Sequence, residues 1–353
     1  MFKELKVVEL SNVLAGPMVG MFFSELNAKV IKVENKTTEG DMTRRWKLPS
    51  ESHTNNTSAY YSSVNYNKEV LFVDFKCIEE KNKVLKHIEN SDIVIANYKP
   101  GSAEKLGMDY RSLKKINPSL IYGHISGFGK ISNRPAFDLV LQAETGFMSM
   151  NGQPDSPPTK MPVALIDVLT AHQLKEGILT ALWQREKTGK GAYVETSLYE
   201  SAIASLANQA SNWLMAKHIP TRSGSLHPNI APYGEVFKTK DGKEFTLAIG
   251  TEKQFNALLE ALYIKHLTKD QRFQTNADRV KNRNLLFNYL NEALVKINSE
   301  ILFETFDHLK IPFGIIKNVK EVFENNNAKN LVLEERLEGC DTKRVKTVAF
   351  KIS

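Results

Sequence analysis

The chain has 353 residues, of which 42% are hydrophobic and 25% are charged, so it can bury a sizeable core and is not intrinsically disordered. Its net charge is +7, but the basic residues are dispersed rather than gathered in a tail or helix, which disfavours a nucleic-acid partner. Two cysteines, Cys77 and Cys340, are too few for a disulfide framework or a multi-cysteine zinc site.

The same features predict where the protein works. The low cysteine count favours a reducing cytoplasm. The opening "MFKELKVVEL" has no apolar core typical of a signal peptide, and no run of eighteen apolar residues follows it. We therefore expect a cytoplasmic protein that neither spans a membrane nor binds one.

Strand and helix patterns alternate over the first 130 residues. Between the strands lie helical patterns at about 16–26, 79–88 and 103–116. Such alternation predicts an α/β fold with a Rossmann-like, mostly parallel sheet, in which ligands bind beyond the carboxyl ends of the strands. The β-branched runs that predict strands are 6–10, 29–34, 70–75, 92–97 and 120–126.

The second half of the chain predicts a long helical region and a smaller domain. Helical spacing runs from Asp167 to about Lys217 and is interrupted at 187–197. Asp241–Gly242 between two strand-like runs predicts a two-residue hairpin, and helical patterns follow from about 252 to 306. We expect a large domain formed by 1–224 with 311–353, and a small α+β domain formed by 225–310.

Several common sites are missing from the sequence. The first strand is followed by "SNVLAGPMVG" rather than G-x-G-x-x-G, which disfavours a dinucleotide cofactor. The chain has no Walker lysine motif, no H-E-x-x-H and no paired Cys/His spacing, so we expect no catalytic metal. It also lacks the G-x-S-x-G elbow of serine hydrolases.

Asp167 stands at the junction of two apolar segments in "PVALIDVLTAHQLKEGILTAL". Aspartate is a preferred helix N-cap, so one interpretation is purely structural. A carboxylate at a helix N-terminus also lies in a field that favours its ionised form, which suits a nucleophile or base. Position in the sequence leaves both roles open.

Six segments, in order along nearly the whole chain, resemble the family III CoA-transferases, the CaiB/BaiF family that includes formyl-CoA transferase. Because several long motifs occur in the family's order, the resemblance is specific. The six segments are "VVELSNVLAGPMVGMFFSELNAKVIKVENKTTEGDMTRRW", "DIVIANYKPGSAEKLGMDY", "FDLVLQAETGFMSMNGQPDSPPTKMPVALID", "GILTALWQREKTGKGAYVETSLYESA", "HPNIAPYGEVFKTKDG" and "IPFGIIKNVKEVF".

The resemblance implies that Asp167 is the catalytic nucleophile. In this family a single aspartate at the start of the equivalent helix attacks an acyl-CoA thioester, giving an aspartyl anhydride and then an aspartyl-CoA thioester. The apolar neighbours Leu165, Ile166 and Val168 would exclude the water that hydrolyses an anhydride. The resemblance further implies a homodimer of two interlocked chains.

The resemblance also implies where coenzyme A, the one expected cofactor, is bound. Two of the matching cations, Lys36 and Lys105, are arginine in the family member compared, and lysine offers a point charge rather than a two-pronged contact. The expected coenzyme A contacts are Leu14, Ala15, Lys36, Val73, Asp74, Phe75, Lys76, Asn97, Tyr98, Lys105, Phe137 and Asp138.

Two departures from the family pattern bear on the substrate. Leu14 stands where formyl-CoA transferase has a glutamine, and that enzyme's glycine-rich lid is absent, which disfavours formyl or oxalyl groups. The "HPNIAPYG" segment resembles the branch that acts on succinate and related dicarboxylates. We therefore expect a succinyl-CoA-type donor and a dicarboxylate or hydroxy-acid acceptor.

Two alternatives are weighed against a transferase. The related acyl-CoA racemases need a histidine before the aspartate that here is Asp138, but Phe137 occupies that place and cannot carry a proton. A non-catalytic CoA-binding protein would have lost the nucleophile, and Asp167 is present.

Overall fold

Short aliphatic and β-branched runs form one sheet of six parallel strands in the order β3-β2-β1-β4-β5-β6. The chain starts in the middle of the sheet, winds outward to β3, and then returns to β4 on the other side of β1. This reversal leaves a crevice between β1 and β4 at the carboxyl ends of the strands. The strands are β1 Lys6–Leu10, β2 Lys29–Asn35, β3 Lys68–Val73, β4 Ile93–Ala96, β5 Ile121–Ser126 and β6 Ala192–Ser197.

Helices cover both faces of this sheet. On one face, α1 and α8 bury Phe23, Leu174 and Ile178 against Val7 and Ile93. The other face has its own core, which α3 and α5 help to form. The helices of this part are α1 Ala15–Glu25, α2 Ala59–Ser62, α3 Ile78–Glu89, α4 Ser102–Leu106, α5 Tyr110–Ile116, α6 Asp138–Glu144, α7 Phe147–Met150, α8 Leu165–Thr188, α9 Leu198–Ala204 and α10 Ala207–Ala216.

A second, antiparallel sheet lies later in the chain, with the order β7-β8-β9. The predicted hairpin of β7 and β8 is present, but residues 239–243 separate the two strands instead of two residues, and Gly242 in this turn has a φ of +81°. Its elements are β7 Tyr233–Lys238, β8 Glu244–Ala248, α11 Glu252–Ala261, α12 Asn276–Lys281, α13 Arg283–Leu294, α14 Ser299–Leu309, β9 Phe313–Ile315 and α15 Val319–Phe323. The chain ends with α16 Asn326–Lys329 and the hairpin β10 Val332–Leu337 with β11 Cys340–Val345.

The computed structural model describes every residue from Met1 to Ser353, and these residues form two units. The larger consists of residues 1–148, 160–220 and 327–353, and the smaller of 149–159 and 221–326. The domain boundaries inferred from the sequence stay a prediction. None of the helices combines the length and the apolar character needed to cross a bilayer.

The parallel α/β sheet predicted from the sequence is confirmed, but two predicted helices differ from the structure. The pattern at 103–116 forms two helices, because Gly107 adopts a φ of +66° after α4 and the side chain of Asp109 caps a new helix, α5. Helix α8 begins at Leu165, two residues before Asp167. Asp167 therefore lies inside the first turn of α8 rather than before it.

One glycine reports on the packing of α8 against the sheet. A Cβ on Gly177 would lie 2.5 Å from Cγ1 of Val194 in β6, and the branched valine has little freedom to move. Alanine normally stabilises a helix interior by about 1 kcal/mol relative to glycine. Here we expect Gly177→Ala to lower the free energy of unfolding by about 1–3 kcal/mol, as overpacking does.

Thermal unfolding of Gly177→Ala, Val194→Ala and the double variant checks this packing. The added methyl should be tolerated in the Val194→Ala background, so the double variant should unfold no earlier than Val194→Ala alone. Equal destabilisation by Gly177→Ala in both backgrounds would contradict the contact.

Candidate functional site

A cavity opens at the carboxyl ends of β1, β4 and β5, where the strand order reverses. Its volume is about 170 Å³. The cavity therefore lies where ligands bind in open parallel sheets. It is lined by Asn12–Ala15 after β1, Asn97–Pro100 after β4, Ile125–Gly127 at the end of β5, the loop 132–137, Leu198 and Asp167.

The loops after β1 and β4 are tied together across this cavity. The backbone N–H of Asn12 donates to Oδ1 of Asn97 (3.1 Å), and Nδ2 of Asn97 donates back to the carbonyl of Asn12 (2.9 Å). Tyr98 is half-buried, and burial raises the pKa of its hydroxyl. Its carbonyl lies 3.1 Å from Nε2 of His124. Both loops are therefore fixed by hydrogen bonds.

Asp167 presents its carboxylate to this cavity without a partner. It is the third residue of α8 and is only 8% exposed, yet its carboxylate accepts no hydrogen bond from the protein. The N-cap is Ala164, and no side chain caps the helix there. The capping interpretation of Asp167 is therefore wrong. The carboxylate therefore has no capping role and is directed to the cavity.

The start of α8 is instead bonded by a carboxylate from another helix. Oδ1 of Asp138, the first residue of α6, accepts the N–H of Ile166 (2.8 Å), and Oδ2 accepts from Nε2 of Gln142 (2.7 Å). The Gln142 side chain is fixed in turn, because its Oε1 accepts the N–H of Met161 (2.8 Å). Asp138 therefore holds the first turn of α8 and brings a second negative charge close to Asp167.

Burial, followed by repulsion from Asp138, raises the pKa of Asp167 to about 7. The sequence suggested that the helix N-terminus would keep this carboxylate ionised, but loss of hydration outweighs that field. The carboxylate consequently changes protonation near neutrality. An ionised form that is poorly solvated is also a more reactive nucleophile.

Tyr60 belongs to the same electrostatic environment, and sequence reasoning missed it. Burial, then the charges of Asp167, Asp138 and Asp41, raise the pKa of Tyr60 to about 12. The Tyr60 ring packs edge-on against Trp46, with 5.0 Å between centroids. Tyr60 lies in a one-turn helix far from Asp167 in sequence, so no periodic signal could have placed it here.

The structure brings some of the predicted coenzyme A contacts to the cavity and leaves others elsewhere. Leu14, Ala15, Asn97, Tyr98 and Phe137 line it together with Asp167. The remaining predicted contacts do not line it: Lys36, Val73, Asp74, Phe75, Lys76, Lys105 and Asp138.

Several of these remaining residues lie together beyond β2 and β3. Nζ of Lys36 lies 3.0 Å from Oε1 of Glu80, and Oε2 of Glu80 accepts the N–H of Asp74 (2.6 Å). Lys76 is exposed, and its N–H donates to Oδ1 of Asp74 (2.9 Å). Lys105 is exposed on α4. These three lysines can reach anionic groups in solvent, whereas Val73 is buried.

Two cations on the cavity wall were not predicted. Lys99 follows β4, and Arg134 lies in the loop before α6. The Arg134 guanidinium pairs with Glu144 through Nη1 (2.9 Å) and stacks 4.1 Å above the Phe128 ring. Loop residues of this kind belong to no hydrophobic period, so periodicity in the sequence does not predict them.

Neither a metal cluster nor a histidine lines the cavity. No group of three or more His, Cys, Asp and Glu side chains in the chain could hold a metal ion. Phe137 is 51% exposed at the cavity, in the place where a racemase would carry histidine. His124 is bonded to the Tyr98 carbonyl and lies 3.3 Å from the Tyr193 hydroxyl.

Comparisons with known proteins agree on one family. The model described as CoA-transferase family III matches residues 2–353. The chain is 35% identical to a succinate–glutarate CoA-transferase of Agrobacterium fabrum, over 96% of this chain and 85% of the relative. It is 32% identical to an acetyl-CoA:oxalate CoA-transferase of Acetobacter aceti, over 94% and 85% respectively. The crystal structure of a CaiB/BaiF family protein from Brucella suis superimposes with a TM-score of 0.88 and 37% identity, covering 99% of this chain and 92% of that one.

The raised pKa of Asp167 predicts a pH-dependent effect of its removal. Its folded pKa of about 7 lies above the ordinary aspartate pKa of 3.8, so ionisation opposes folding and stability falls as pH rises from about 4 through 7. We expect Asp167→Asn to stabilise the protein by up to about 4 kcal/mol near pH 8.5 and by less than about 1 kcal/mol near pH 4. Thermal or denaturant unfolding at both pH values measures this gain.

Asp155→Asn is the matched control, because Asp155 is exposed. Asp155→Asn should change the free energy of unfolding by an equally small amount at both pH values. A pH-independent effect of Asp167→Asn would contradict the electrostatic origin of the gain.

Proposed function

Because the chain belongs to CoA-transferase family III, we propose that Asp167 is the nucleophile through which it moves CoA from an acyl-CoA to a carboxylic acid. One observation carries this proposal. The Asp167 carboxylate faces the cavity at the strand-order reversal, is nine-tenths buried, and has no hydrogen-bond partner in the protein. A carboxylate with only a structural role would be bonded, as Asp138 is.

The proposed reaction proceeds by four exchanges at carbonyl carbons. An oxygen of Asp167 attacks the thioester carbon, the C–S bond breaks, and an acyl anhydride forms with release of CoA thiolate. The thiolate then attacks the aspartyl carbon, giving an aspartyl-CoA thioester and the donor acid. The acceptor carboxylate attacks that thioester, its C–S bond breaks, and a second anhydride forms with release of CoA thiolate. The thiolate finally attacks the acceptor's carbonyl carbon in this anhydride, which releases the new acyl-CoA and the free Asp167 carboxylate.

The environment of Asp167 suits these steps. The neighbours of Asp167 in the chain are the fully buried Ile166 and the half-buried Leu165 and Val168. These apolar side chains limit the water available to hydrolyse an anhydride. The pKa of about 7 leaves a large ionised fraction at neutral pH. Each intermediate replaces the Asp167 charge by a neutral ester-like group, which relieves its repulsion from Asp138.

The proposed donor is succinyl-CoA or a similar dicarboxylate thioester. The cavity wall carries the exposed Lys99, which favours an acyl group with a remote carboxylate, whereas the charge of Arg134 is already paired with Glu144. Leu14 on the wall offers no side-chain hydrogen bond to a small polar acyl group. The relative from Agrobacterium fabrum is named for succinate and glutarate, whereas that from Acetobacter aceti is named for oxalate.

We also propose that the coenzyme A phosphates lie beyond the cavity, near the exposed lysines Lys36, Lys76 and Lys105. We propose a homodimer because large apolar side chains of α8 and α10 are exposed in the single chain. They include Trp183 (63%) and Met215 (86%), and a second chain would cover them.

Trapping identifies the nucleophile directly. Incubation with succinyl-CoA and hydroxylamine should convert Asp167 to a hydroxamate, because both the anhydride and the thioester are activated at the aspartyl carbon. Asp167→Asn should show no such modification and should lose transfer activity by at least about a thousand-fold. Peptide mass spectrometry and a transfer assay measure the two effects.

The control for the trapping experiment is Asp155→Asn, which should be trapped at Asp167 like the wild type. A hydroxamate at another residue, or full transfer activity in Asp167→Asn, would overturn the proposed role. A panel with acetyl-, oxalyl- and succinyl-CoA identifies the donor, and faster trapping by oxalyl-CoA would contradict the dicarboxylate assignment.

The pH profile tests the state of the nucleophile. Since attack requires ionised Asp167, kcat/KM should rise with pH and level off above a midpoint near 7. Asp138→Asn removes the repelling charge, so the midpoint should move to lower pH while remaining above the ordinary value for aspartate, because burial persists. An unchanged midpoint in Asp138→Asn would show that repulsion from Asp138 contributes nothing to the raised pKa of Asp167.

A further inference from the structure

The turn between β1 and α1 contains a strained residue. Val13 has a φ of +74°, in the left-handed region that β-branched residues strongly avoid. It stands between the end of β1 and Leu14, the N-cap of α1, which makes no side-chain capping bond. Such strain persists only where the surroundings enforce it.

The carboxylate of Asp41 enforces this conformation. The N–H of Val13 donates to Oδ2 of Asp41 (3.1 Å) and lies 3.4 Å from Oδ1. Asp41 is 1% exposed, and its Oδ1 also accepts from the backbone N–H (3.0 Å) and the hydroxyl (2.9 Å) of Thr43. The acceptor that holds Val13 is therefore itself fixed.

A fully buried lysine secures both sides of the same turn. Nζ of Lys32 lies 3.2 Å from Oδ2 of Asp41 and donates to the carbonyl of Ser11 (2.8 Å). Lys32 also pairs with Glu9 at 2.9 Å, and Glu9 pairs with the buried Lys68 at 2.8 Å. The pairs thus connect the turn to strands β1, β2 and β3.

This turn forms one wall of the cavity that holds Asp167. Val13, Leu14 and Ala15 all line it, and a φ change at Val13 would redirect the next two residues. A shift of about 1 Å in a substrate-positioning group is enough to lower a rate about a hundred-fold. The conformation of Val13 therefore bears on how a substrate sits against Asp167.

We propose that Asp41 is a positioning residue for the transfer reaction: its carboxylate holds Val13 in the left-handed conformation that sets Leu14 and Ala15 opposite Asp167. The inference rests on the proposed function. Asp41 acts through the turn and touches neither substrate nor Asp167.

A double-mutant cycle with glycine tests this role, because glycine adopts positive φ without strain. In the wild-type background, Asp41→Ala should slow single-turnover trapping at saturating succinyl-CoA by about a hundred-fold. In the Val13→Gly background, the same change should slow it by less than about ten-fold, since the turn no longer needs to be forced. Peptide mass spectrometry of the Asp167 hydroxamate gives the rates.

Glu9→Gln is the matched control. It disturbs the same buried ion pairs without contacting Val13, so its effect should be equal in both backgrounds. If Asp41→Ala does not fold, Asp41→Asn keeps the side-chain volume and gives the same comparison, with a loss of about ten-fold that Val13→Gly reduces to less than about three-fold.

Equal losses from the Asp41 change in both backgrounds would overturn the proposal, as would wild-type trapping rates in the Asp41 variant. Failure of the proposed function is distinguishable from both, because the wild-type protein would then give no hydroxamate at Asp167.

Discussion

The proposed chemistry of this protein depends on one buried carboxylate that the fold leaves without a hydrogen bond. Asp167 is 8% exposed, and the N–H of Ile166 at the start of α8 donates to Asp138 rather than to Asp167. Burial and the Asp138 charge together hold the pKa of Asp167 at about 7. A carboxylate in this state is reactive but still ionised in part at neutral pH. That balance suits the role of nucleophile proposed for Asp167.

The strand order of the sheet determines where Asp167 lies. Reversal of the strand order at β1 opens a crevice between β1 and β4, and α8 begins where its first turn can point into that crevice. The loops around it are held by paired bonds, such as those between Asn12 and Asn97. The cavity wall is thereby built before any substrate binds. Preorganisation of this kind lowers the cost of aligning reactants.

The region around the cavity is made of features that oppose stability. Ionised Asp167 lacks a partner, Val13 is strained, and the ion pairs of Glu9, Lys32 and Lys68 are buried in the sheet. Buried ion pairs add little net stability compared with apolar packing, but loss of one partner is strongly destabilising. Active sites commonly retain such features because function, rather than stability, selects them. Burial of the two apolar cores on either side of the sheet offsets the stability lost to these features.

Much of the scaffold followed from the sequence, because hydrophobic periodicity reflects burial directly. The strand at 6–10 and the hairpin at Asp241–Gly242 are cases where local pattern and turn chemistry decide the structure. The sequence predicts Asp167 as the nucleophile, but it does not predict the position of this residue relative to the start of α8. It resembled an N-cap, whereas the helix starts two residues earlier and Asp138, from another element, bonds the first turn.

Contacts between distant segments account for the rest of what the sequence could not show. Tyr60 belongs to the electrostatic environment of Asp167 but lies outside every resembling segment. Asp41 lies within the first of these segments, yet nothing in the sequence indicates that it bonds Val13. The resemblance to a family indicates the strand ends after β1 and β4, which border the cavity, and those after β2 and β3, which do not. It could not indicate which of the matching residues line the cavity and which, like Lys36 with Glu80, lie beyond it.

Oxygen transfer tests the central claim most directly. If Asp167 exchanges its own oxygen with the substrates, one turnover with an acceptor acid labelled with oxygen-18 in its carboxylate leaves one labelled oxygen on Asp167. Mass spectrometry of the peptide containing this residue should then show the label, and Asp138 should remain unlabelled. Transfer that proceeds at a normal rate while Asp167 stays unlabelled would contradict a covalent aspartyl route.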